Sequence, residues 1–472
     1  MNTRAVPPRT LGHYFKETVR QAWPVLVSAW ASMAFAVADT TMAGHSSAAD
    51  LQAMALSVSI YLTVFVGLMG VVHALIPIIG QHYGARRLES AGKAWGQGVW
   101  LALGLSAAGA VTLLFPNVWL MFSGDIDPVV MSKISNYLLA LIVAMPAALV
   151  FRTIYCLGTA VSRPKVVMAI NLVSIPFKVL FNWIFIFGQF GVPAMGAAGA
   201  GLATAVVSWL MLGMGLWVLK HDSFFKQFQL RLGRIDWPTQ KELLRLGLPM
   251  GGSYLIEVCA FTFMALMVAR EGMFVTGSHQ IMANLAALCY MMPMAIGIAS
   301  ASLTAQAIGA EDPARAKLTG QAGFLLALAG AALTATLLLV FKPQIIALYT
   351  SDAQVGALAA LLLQILPFFH LCDAMQCINT YLLRAYKVAV IPLIMQIFAL
   401  IGVGLVGGWV LGFGPAAGTL QPVINTLMPG APTGAATLWL MAGLGLGMSA
   451  LLLRFWYWRT QAQYQREKSA YL

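Results

Sequence analysis

The sequence predicts an all-α integral membrane protein whose twelve transmembrane helices form two six-helix lobes. Of its 472 residues, 60% are hydrophobic and only 9% are charged, whereas a soluble domain carries about 25% charged residues. Twelve separate segments are apolar over the length of a bilayer, and Lys and Arg residues concentrate in alternate connections between them. The composition excludes a water-soluble globular fold.

Each predicted span contains the roughly 20 apolar residues that an α-helix needs to cross the hydrocarbon core. Gly and Pro are frequent inside the spans, which membrane helices tolerate better than soluble helices do. In chain order the spans are 22–44, 52–80, 94–115, 130–155, 165–188, 194–219, 241–270, 279–305, 320–341, 356–380, 388–413 and 434–459.

The charges in the connections support this count, because Lys and Arg collect on the cytoplasmic side of a membrane. Basic residues are frequent before the first span, after each even-numbered span and at the end of the chain, whereas the opposite connections hold only Lys133, Arg270 and Lys342. The bias predicts a multi-pass inner-membrane protein with both termini in the cytoplasm. It also accounts for the net charge of +12 without nucleic acid as a partner. The basic N-terminal segment is not predicted to be a cleaved signal peptide.

A polar stretch at 221–240 separates the first six spans from the last six. It predicts an N-terminal lobe at 1–220, a cytoplasmic linker at 221–240 and a C-terminal lobe at 241–472. Because six helices per repeat is an even number, we expect a pseudo-twofold axis along the membrane normal and a cavity between the lobes. The lobes share residue types at an offset of 225 (306 − 81), in the pairs Gln81 and Gln306, Gly84 and Gly309, Ala85 and Ala310, Gly98 and Gly323, and Pro24 and Pro249.

Ionisable residues within the spans are few. Of the sixteen acidic residues, only Asp39, Glu257 and Asp373 lie well within a span, and Lys178 is the one base that does. An ionisable group inside the bilayer is costly and usually marks function. We therefore predict that the three acids are the cation- or proton-coupling sites.

Helical spacing places these residues on polar faces, since positions three and four apart share one side of a helix. Such a face avoids lipid and turns to a cavity or to a neighbouring helix. Three faces are predicted: Asn171, Ser174, Lys178 and Asn182 on the fifth span, Ser253 and Glu257 on the seventh, and His370, Asp373, Gln376 and Thr380 on the tenth. Further candidates for lining a substrate cavity are Gln280, Asn284 and Tyr290 on the eighth span.

Two interpretations of the acids remain open. In the functional one, a carboxyl in a poorly hydrated pocket holds a proton at neutral pH and releases it when the pocket opens, or Glu257 and Asp373 together hold a small cation such as Na⁺. In the structural one, Asp39 and Lys178 form a fixed ion pair that braces the first and fifth spans. A similar ion pair is not expected in the second half, because no Lys or Arg is predicted deep within spans seven to twelve.

The remaining residues predict neither an enzyme nor a metalloprotein. The five cysteines lie in or at the ends of apolar segments without a CxxC pair, so neither a disulfide framework nor a zinc site is predicted. No nucleotide-binding, HExxH or GxSxG motif occurs, which disfavours ATP-driven transport by this chain alone. His370 is compatible with a functional or a structural role. The only ion or cofactor expected is the coupling ion, H⁺ or Na⁺.

Short motifs follow one another along the chain in a specific order. They are WPVLVS at Trp23, ADTTMAG ending at Gly44, ADLQAMALSVSIY, ALIPIIGQHYGA, LFNWIFIFGQFG, GAAGAGLATA, GSHQIMANLAALCYMMPMAIGIASASL, CDAMQ and LLRAYK. Together they resemble the multidrug and toxic compound extrusion (MATE) family of MOP-like transporters, in its bacterial NorM-like branch. The resemblance implies antiport of amphipathic, often cationic drugs against H⁺ or Na⁺ by alternating access, in the bacterial inner membrane and by a functional monomer. It also implies that Asp39 is the family's N-lobe acid and that Glu257 and Asp373 are its C-lobe acids.

Two positions depart from the family's pattern. Lys178 stands where the family usually has Asn, and Phe369 stands where Tyr is frequent, one turn before Asp373. An ammonium near Asp39 competes with a metal ion, and Phe369 offers no oxygen, whereas hard cations need several oxygen ligands. Both departures favour H⁺ over Na⁺ as the coupling ion. The alternative function is a lipid-linked saccharide flippase, which would need several basic residues in its cavity, and only Lys178 is predicted there.

Overall fold

The computed structural model describes residues 10–121 and 126–469, which form helices and connecting segments without a β-strand. Contacts between residues group these residues into two units. The N-terminal unit comprises residues 24–251, and the C-terminal unit comprises residues 10–23 together with 252–469. Both chain ends, including Arg4 and Arg9 of the basic N-terminal segment, lie outside the described residues, so the cytoplasmic position of the termini stays a prediction.

The helices of the first half include two that contribute to both units, α1 and α10. In chain order they are α1 (Leu11–Ser46), α2 (Ala48–Val72), α3 (Leu75–Gly84), α4 (Leu88–Leu113), α5 (Pro116–Leu120), α6 (Pro128–Ala160), α7 (Pro164–Phe187), α8 (Ala197–His221), α9 (Ser223–Lys226) and α10 (Trp237–Val268). Pro24 and Pro249 lie inside α1 and α10, close to the two unit boundaries. Proline removes one backbone hydrogen bond from a helix, so both boundaries fall where the helix is weakened.

The helices of the second half include two interrupted spans. They are α11 (Met273–Gly309), α12 (Pro313–Val340), α13 (Lys342–Tyr349), α14 (Ala353–Leu362), α15 (Leu366–Ala385), α16 (Val390–Gln396), α17 (Gly408–Gly412), α18 (Gln421–Leu427) and α19 (Thr433–Ser469). A π-helical stretch at Ile397–Gly407 joins α16 to α17 into one apolar segment. The π-helix is rare in proteins and appears mostly as single-turn bulges, so a stretch of 11 residues is unusual.

The predicted count of twelve spans is confirmed. Within residues 10–121 and 126–469, eleven helical segments are long and apolar enough to cross a membrane. The twelfth is the pair α14 and α15, which meet the same criteria together and bend by 51° at their junction. The break lies at residues 363–365, just before the helix that carries Asp373.

Several helices extend beyond the predicted spans, because hydropathy detects only the apolar part of a helix. The tenth predicted span ends at residue 380, whereas α15 continues to Ala385. Arg384 therefore lies inside the helix, and only 3% of its surface is exposed. The expectation that no Lys or Arg lies deep within the last six spans is wrong.

The predicted linker at 221–240 is packed on the N-terminal unit. Gln97 of α4 donates to the carbonyl of Arg234 at 2.7 Å, and Gln240 donates to the carbonyl of Gln97 at 2.8 Å. These bonds attach the stretch to α4, and the boundary between the two units by contacts falls after residue 251. The predicted division into two lobes and a linker stays a prediction.

The backbone supports the internal repeat at the offset of 225. Left-handed backbone angles are uncommon outside glycine. They nevertheless occur at Arg86 (φ 59°) and Glu311 (φ 57°), and again at Ser162 (φ 63°) and Lys387 (φ 60°). Both pairs are 225 apart (311 − 86 and 387 − 162), and each residue lies two positions beyond the end of a long or broken span.

One pair of predicted repeat residues, Gly98 and Gly323, occupies equivalent helix contacts. A Cβ atom at Gly98 would lie 2.4 Å from the side chain of Leu75, and one at Gly323 would lie 2.1 Å from Oγ of Ser300. Leu75 and Ser300 are themselves 225 apart (300 − 75). The two glycines therefore allow the same close approach of helices in each unit.

Candidate functional site

The acid of the N-terminal unit, Asp39, is bound by two residues of α7. Oδ1 of Asp39 lies 2.9 Å from Nζ of Lys178 and accepts a hydrogen bond from Nδ2 of Asn182 at 2.7 Å. The Asp39 side chain is 13% exposed and that of Lys178 is 2% exposed. The predicted ion pair between the first and fifth spans is therefore present in the structure.

The polar face predicted on the fifth span lies inside the N-terminal unit. Asn171, Ser174, Lys178 and Asn182 are all buried. Ser174 donates to the carbonyl of Ile170 within its own helix, so its hydroxyl is already satisfied. Oδ1 of Asn182 is buried without a hydrogen-bond partner among the described residues. An unused acceptor thus lies beside the ion pair.

Lys178 has a second partner outside the predicted set, Thr204 of α8, to whose hydroxyl it donates a hydrogen bond. Thr204 in turn donates to the carbonyl of Ala200 at 3.0 Å. The ammonium is therefore held by an acid from α1 and a hydroxyl from α8, which is the kind of compensation that a buried charge needs.

The acids of the C-terminal unit, Glu257 and Asp373, come from α10 and α15. Asp373 is buried and interacts electrostatically with Glu257. The hydroxyl of Tyr290, on α11, forms a hydrogen bond with Glu257. The structure therefore brings together two acids that lie 116 residues apart in the chain (373 − 257).

A small cavity adjoins Glu257 inside the C-terminal unit. Its volume is about 10 Å³, close to the room that one water molecule needs. From the predicted set it is lined by Ser253, Glu257, Tyr290, Gln376 and Thr380. The predicted faces of spans seven and ten thus meet at one cavity.

The sequence prediction missed the base in this cavity, Arg384, which lies on the last turn of α15. Its Cζ lies 5.1 Å from the ring centre of Tyr254 and 4.9 Å from that of Tyr381. The hydroxyls of the two tyrosines are 2.6 Å apart. A signal was available, because Arg384 follows Thr380 by one helical turn and so continues the predicted polar face.

Other predicted residues lie outside this cavity. His370 is buried, and its Nε2 has no hydrogen-bond partner among the described residues. Gln280 is exposed, while Asn284 is half-buried and donates to the Gln280 carbonyl at 3.1 Å. Phe369 packs in an aromatic cluster, with its ring centre 5.0 Å from that of Trp439. The roles of His370, Gln280 and Asn284 stay predictions.

A further buried acid, Asp50, forms a structural ion pair. Oδ1 of Asp50 lies 2.7 Å from Nζ of Lys133 and accepts from the amide of Ala197 at 2.9 Å, and Oδ2 accepts from Ser47 at 2.6 Å. Because both oxygens are occupied by donors from its own unit, Asp50 has little capacity for exchange. It anchors the first turn of α8 to α2.

The two acidic regions differ in what they can hold. In the N-terminal unit an ammonium already occupies one oxygen of the carboxylate. In the C-terminal unit Glu257 lines a water-sized cavity and interacts with a second acid, Asp373. No group of three or more His, Cys, Asp or Glu residues that could hold a metal ion occurs within the described part of the chain.

Comparison with known sequences gives one family. The family model MatE matches residues 24–184 and 249–410, two segments whose starts are again 225 apart (249 − 24). The probable multidrug resistance protein NorM of Aromatoleum aromaticum is 37% identical over 397 residues, which are 83% of this chain and 85% of that protein. The multidrug resistance protein NorM of Vibrio cholerae serotype O1 is 32% identical over 444 residues, covering 92% and 93%.

Solved structures share the fold. The eukaryotic MATE transporter AtDTX14 superimposes with a TM-score of 0.84 at 17% identity, over 97% of this chain and 99% of that chain. The Vibrio cholerae MATE transporter VcmN in its bent form gives a TM-score of 0.81 at 17% identity, over 98% and 99%. These likenesses confirm the predicted all-α membrane architecture.

Proposed function

This chain belongs to the MatE family, in its bacterial NorM-like branch, and we propose that it exports amphipathic, often cationic drugs in exchange for H⁺. Members of the family are transporters, so the chain is a transporter and not an enzyme. The proposal assigns the exchange of protons to Asp39 in the N-terminal unit and to Glu257 and Asp373 in the C-terminal unit. Alternating access would expose these acids to the two sides of the membrane in turn.

The observation that carries the proposal is a pair of interacting acids inside an apolar bundle, Glu257, which lines a cavity, and the buried Asp373. A buried carboxyl is costly, and a chain retains one in a membrane span chiefly for function. The fully satisfied Asp50 shows the contrasting case of a buried acid with a structural role. The names of the relatives, which describe multidrug resistance, support drugs as the substrates.

H⁺ is favoured over Na⁺ for two reasons. Lys178 already pairs with Oδ1 of Asp39, so its ammonium competes with a metal ion for this carboxylate. Phe369 is packed against Trp439 and supplies no oxygen near Asp373. A metal ion requires several oxygen ligands, whereas a proton needs only one.

Export of a lipid-linked saccharide is the alternative, and the basic residues disfavour it. Such a substrate carries a pyrophosphate, which calls for several cavity cations. Among the described residues, the buried Lys and Arg side chains are Lys178 and Arg384. The first is paired with Asp39 and the second is enclosed by tyrosines, so neither is available to an anionic substrate.

The test is transport by purified protein in liposomes, with ethidium as a fluorescent amphipathic cation. A pH gradient without Na⁺ and a Na⁺ gradient without a pH gradient are imposed in parallel. We expect ethidium movement under the pH gradient. Asp39→Asn and Asp373→Asn should each lower its rate at least about tenfold, which corresponds to about 1.4 kcal/mol.

Glu89→Gln provides the matched control. Glu89 is 62% exposed and pairs with Lys93 on the surface of α4, so its loss should leave ethidium transport unchanged. If Asp39→Asn and Asp373→Asn behave like Glu89→Gln, the acids are not the exchange sites and the proposal fails. Movement under the Na⁺ gradient alone would replace H⁺ by Na⁺ as the coupling ion.

A further inference from the structure

One exposed face of α10, in the part that belongs to the N-terminal unit, carries both basic and apolar side chains. A groove with a volume of about 460 Å³ runs along this face, and this volume lies within the range of small-molecule sites. Trp237 in the groove is 75% exposed and Leu248 is 58% exposed. Lys241 and Arg245 lie between them and are also exposed. The groove therefore offers two cations and an apolar surface at the same place.

The fold holds this face outward because another side of α10 is packed closely against α2. A Cβ atom at Gly247 would lie 2.5 Å from the carbonyl oxygen of Val71, and one at Gly251 would lie 2.5 Å from that of Gly67. The two helices therefore meet backbone to backbone along this side. Gln240 adds a hydrogen bond to a backbone carbonyl of α4 at 2.8 Å. The basic face is thus presented by a helix that is fixed in place.

Neither cation in the groove is neutralised within the protein. Among the residues that the structure describes, Lys241 and Arg245 form no ion pair, side-chain hydrogen bond or ring contact. Glu242 follows Lys241 in the chain, but successive side chains point about 100° apart on a helix. Glu242 accordingly does not line the groove. Two uncompensated cations beside an apolar surface match a ligand with an anionic head and an apolar tail.

The spacing of the two cations fits one phosphate group. Lys241 and Arg245 are four residues apart, so they project from the same side of α10 about 6 Å from each other along its axis. Long basic side chains extend toward the headgroup level of a bilayer, and a guanidinium can bind a phosphate through two parallel hydrogen bonds. Trp237 lies one turn nearer the start of the helix, and Trp is enriched at membrane interfaces. The order along the helix is that of headgroup followed by acyl chain.

The same pair of cations recurs in α1 at the offset of 225. Lys16 and Arg20 correspond to Lys241 and Arg245 (241 − 16 and 245 − 20), and both are exposed. They form no ion pair within residues 10–121 and 126–469. Val19, between them, is 46% exposed, so an apolar side chain accompanies this pair too. The repeat therefore relates the two basic pairs, although it relates none of the buried acids.

We propose that these two basic faces, one on α10 and one on α1, are binding sites for anionic phospholipids. At α10, Lys241 and Arg245 bind the phosphate of the headgroup, and Leu248 contacts an acyl chain. The α1 pair has the same role in its own unit. The sequence predicts that both helix starts lie on the cytoplasmic side, where anionic lipids attract basic residues near the membrane surface. Neither site includes an acid assigned to exchange, so the inference does not depend on the proposed coupling ion.

A phospholipid accounts for the whole face better than a soluble anion does. A free phosphate would use Lys241 and Arg245 but would gain nothing from the exposed side chains of Trp237 and Leu248. A phospholipid supplies the anionic group and the apolar chains in one molecule, and it surrounds any chain that spans a membrane.

The test is native mass spectrometry of the full-length protein in neutral detergent, with phosphatidylglycerol or phosphatidylcholine added. We expect the wild type to retain two molecules of phosphatidylglycerol, each at least about tenfold more tightly than phosphatidylcholine. Lys241→Gln with Arg245→Gln should weaken binding of one molecule about thirtyfold, which corresponds to about 2 kcal/mol. Lys16→Gln with Arg20→Gln should weaken binding of the other. A wild type that binds both lipids equally would overturn the inference.

Lys220→Gln with Lys226→Gln is the matched control. It also removes two exposed cations, but these lie on different helices, α8 and α9, and do not line the groove. The control should retain both molecules of phosphatidylglycerol. An equal loss in the control and in the α10 variant would show only a general attraction of anionic lipid to a basic surface, and the proposed sites would be wrong.

A charge-retaining variant and a second readout guard against a loss caused by misfolding. Lys241→Arg with Arg245→Lys should bind phosphatidylglycerol like the wild type. Phosphatidylglycerol should also raise the thermal unfolding midpoint of the wild type and of the lysine control, because a ligand that binds the folded state stabilises it. The variant without all four site cations should show no such rise. A rise equal to that of the wild type would contradict the inference.

Two further outcomes would assign the faces to another occupant and so overturn the inference. Glycerol 3-phosphate has the phosphate without acyl chains, and an excess of it should leave phosphatidylglycerol bound. Complete displacement would mean that the ligand is a soluble anion. The same spectra report the oligomeric state. If the glutamine variants dissociate a dimer and do not lose lipid, the faces are interfaces between copies of this chain.

Discussion

Asp39 in the N-terminal unit and Glu257 in the C-terminal unit each have a buried base nearby, but the two bases are held differently. Lys178 pairs directly with Asp39 at 2.9 Å. Arg384 is held by the rings of two tyrosines and shares a cavity with Glu257. A ligand at Asp39 must therefore displace an ammonium, whereas a ligand at Glu257 must fit beside a fixed guanidinium. The comparison shows two ways of holding a buried base close to a half-buried acid.

The difference does not come from the repeat, which relates the backbones of the two halves. Subtracting or adding 225 converts each charged residue into an uncharged one, namely Glu257 into Ser32, Arg384 into Thr159, Asp39 into Met264 and Lys178 into Val403. The two halves thus share the positions of helix ends and of close glycine contacts. These four charged residues occupy positions that are not related by the repeat.

The largest expected effect tests how the two bases are held. Lys178→Met leaves Asp39 buried without its partner, so the protein should lose about 3–5 kcal/mol of unfolding free energy. Arg384→Met should lower the unfolding free energy by a smaller amount, because the hydroxyls of its two tyrosine partners still bond to each other. SDS-induced unfolding in mixed micelles measures both. A larger loss for Arg384→Met would reverse the comparison.

The double variant Asp39→Asn with Lys178→Met sharpens this result. Removing both charges should recover most of the stability lost in Lys178→Met, since no uncompensated charge remains. If Asp39 is an exchange site, ethidium transport should stay lost in the double variant. Recovery of transport together with stability would instead assign Asp39 and Lys178 a purely structural role.

The structural ion pair at Asp50 gives the next smaller effect. Lys133→Met removes the partner of Asp50, but the Lys133 side chain is 30% exposed and other donors remain. We expect a loss of about 2 kcal/mol in unfolding free energy. Ethidium transport per folded molecule should not change. A transport defect in this variant would show that a fully hydrogen-bonded acid also takes part in exchange.

The repeated glycine contact gives a smaller effect with an internal comparison. Gly323→Ala would place its Cβ 2.6 Å from Cβ of Ser300, a short side chain that cannot turn away, so the loss should be about 1.5 kcal/mol. In Gly98→Ala the new Cβ would contact the branched end of Leu75, which can rotate away. The loss of unfolding free energy should therefore be smaller than for Gly323→Ala. Gly104→Ala meets nothing within 4 Å and serves as the control. Equal thermal midpoints for all three variants would contradict the close approach.

The smallest expected effect concerns the tyrosines around Arg384. Tyr254→Phe keeps the ring and removes the hydroxyl that bonds to Tyr381 and Arg384. The loss of unfolding free energy should be about 1 kcal/mol. Tyr254→Leu removes the ring as well and should cost more. If the two variants are equally stable, the ring contributes nothing and the guanidinium is held in another way.

The predictable part of the candidate site was the part carried by helical spacing. Positions three and four apart placed Ser253 with Glu257, and Gln376 with Thr380, on shared faces, and those faces do line one cavity. Arg384 was missed because hydropathy ended the tenth span at residue 380. In the sequence, a buried arginine at a helix end looks the same as an arginine in a loop. Only the folded structure shows that tyrosine rings enclose Arg384.

The limits of sequence reasoning appear equally at Asp50. In sequence it lies in a short connection between two apolar spans and has no obvious partner. Its partner Lys133 is 83 residues away (133 − 50), on another helix of the same unit. Spacing rules connect residues within one helix, so a contact between helices required the folded structure.

The sequence alone determined the membrane class, the twelve spans, the 225-residue repeat and the short list of acids within the spans, because bilayer thickness, helical period and the cost of buried charge act locally along the chain. The tertiary structure decided which base lies next to which acid. It paired Lys178 with Asp39 and enclosed Arg384 beside Glu257, because the partner of a buried charge is set by which helices pack together.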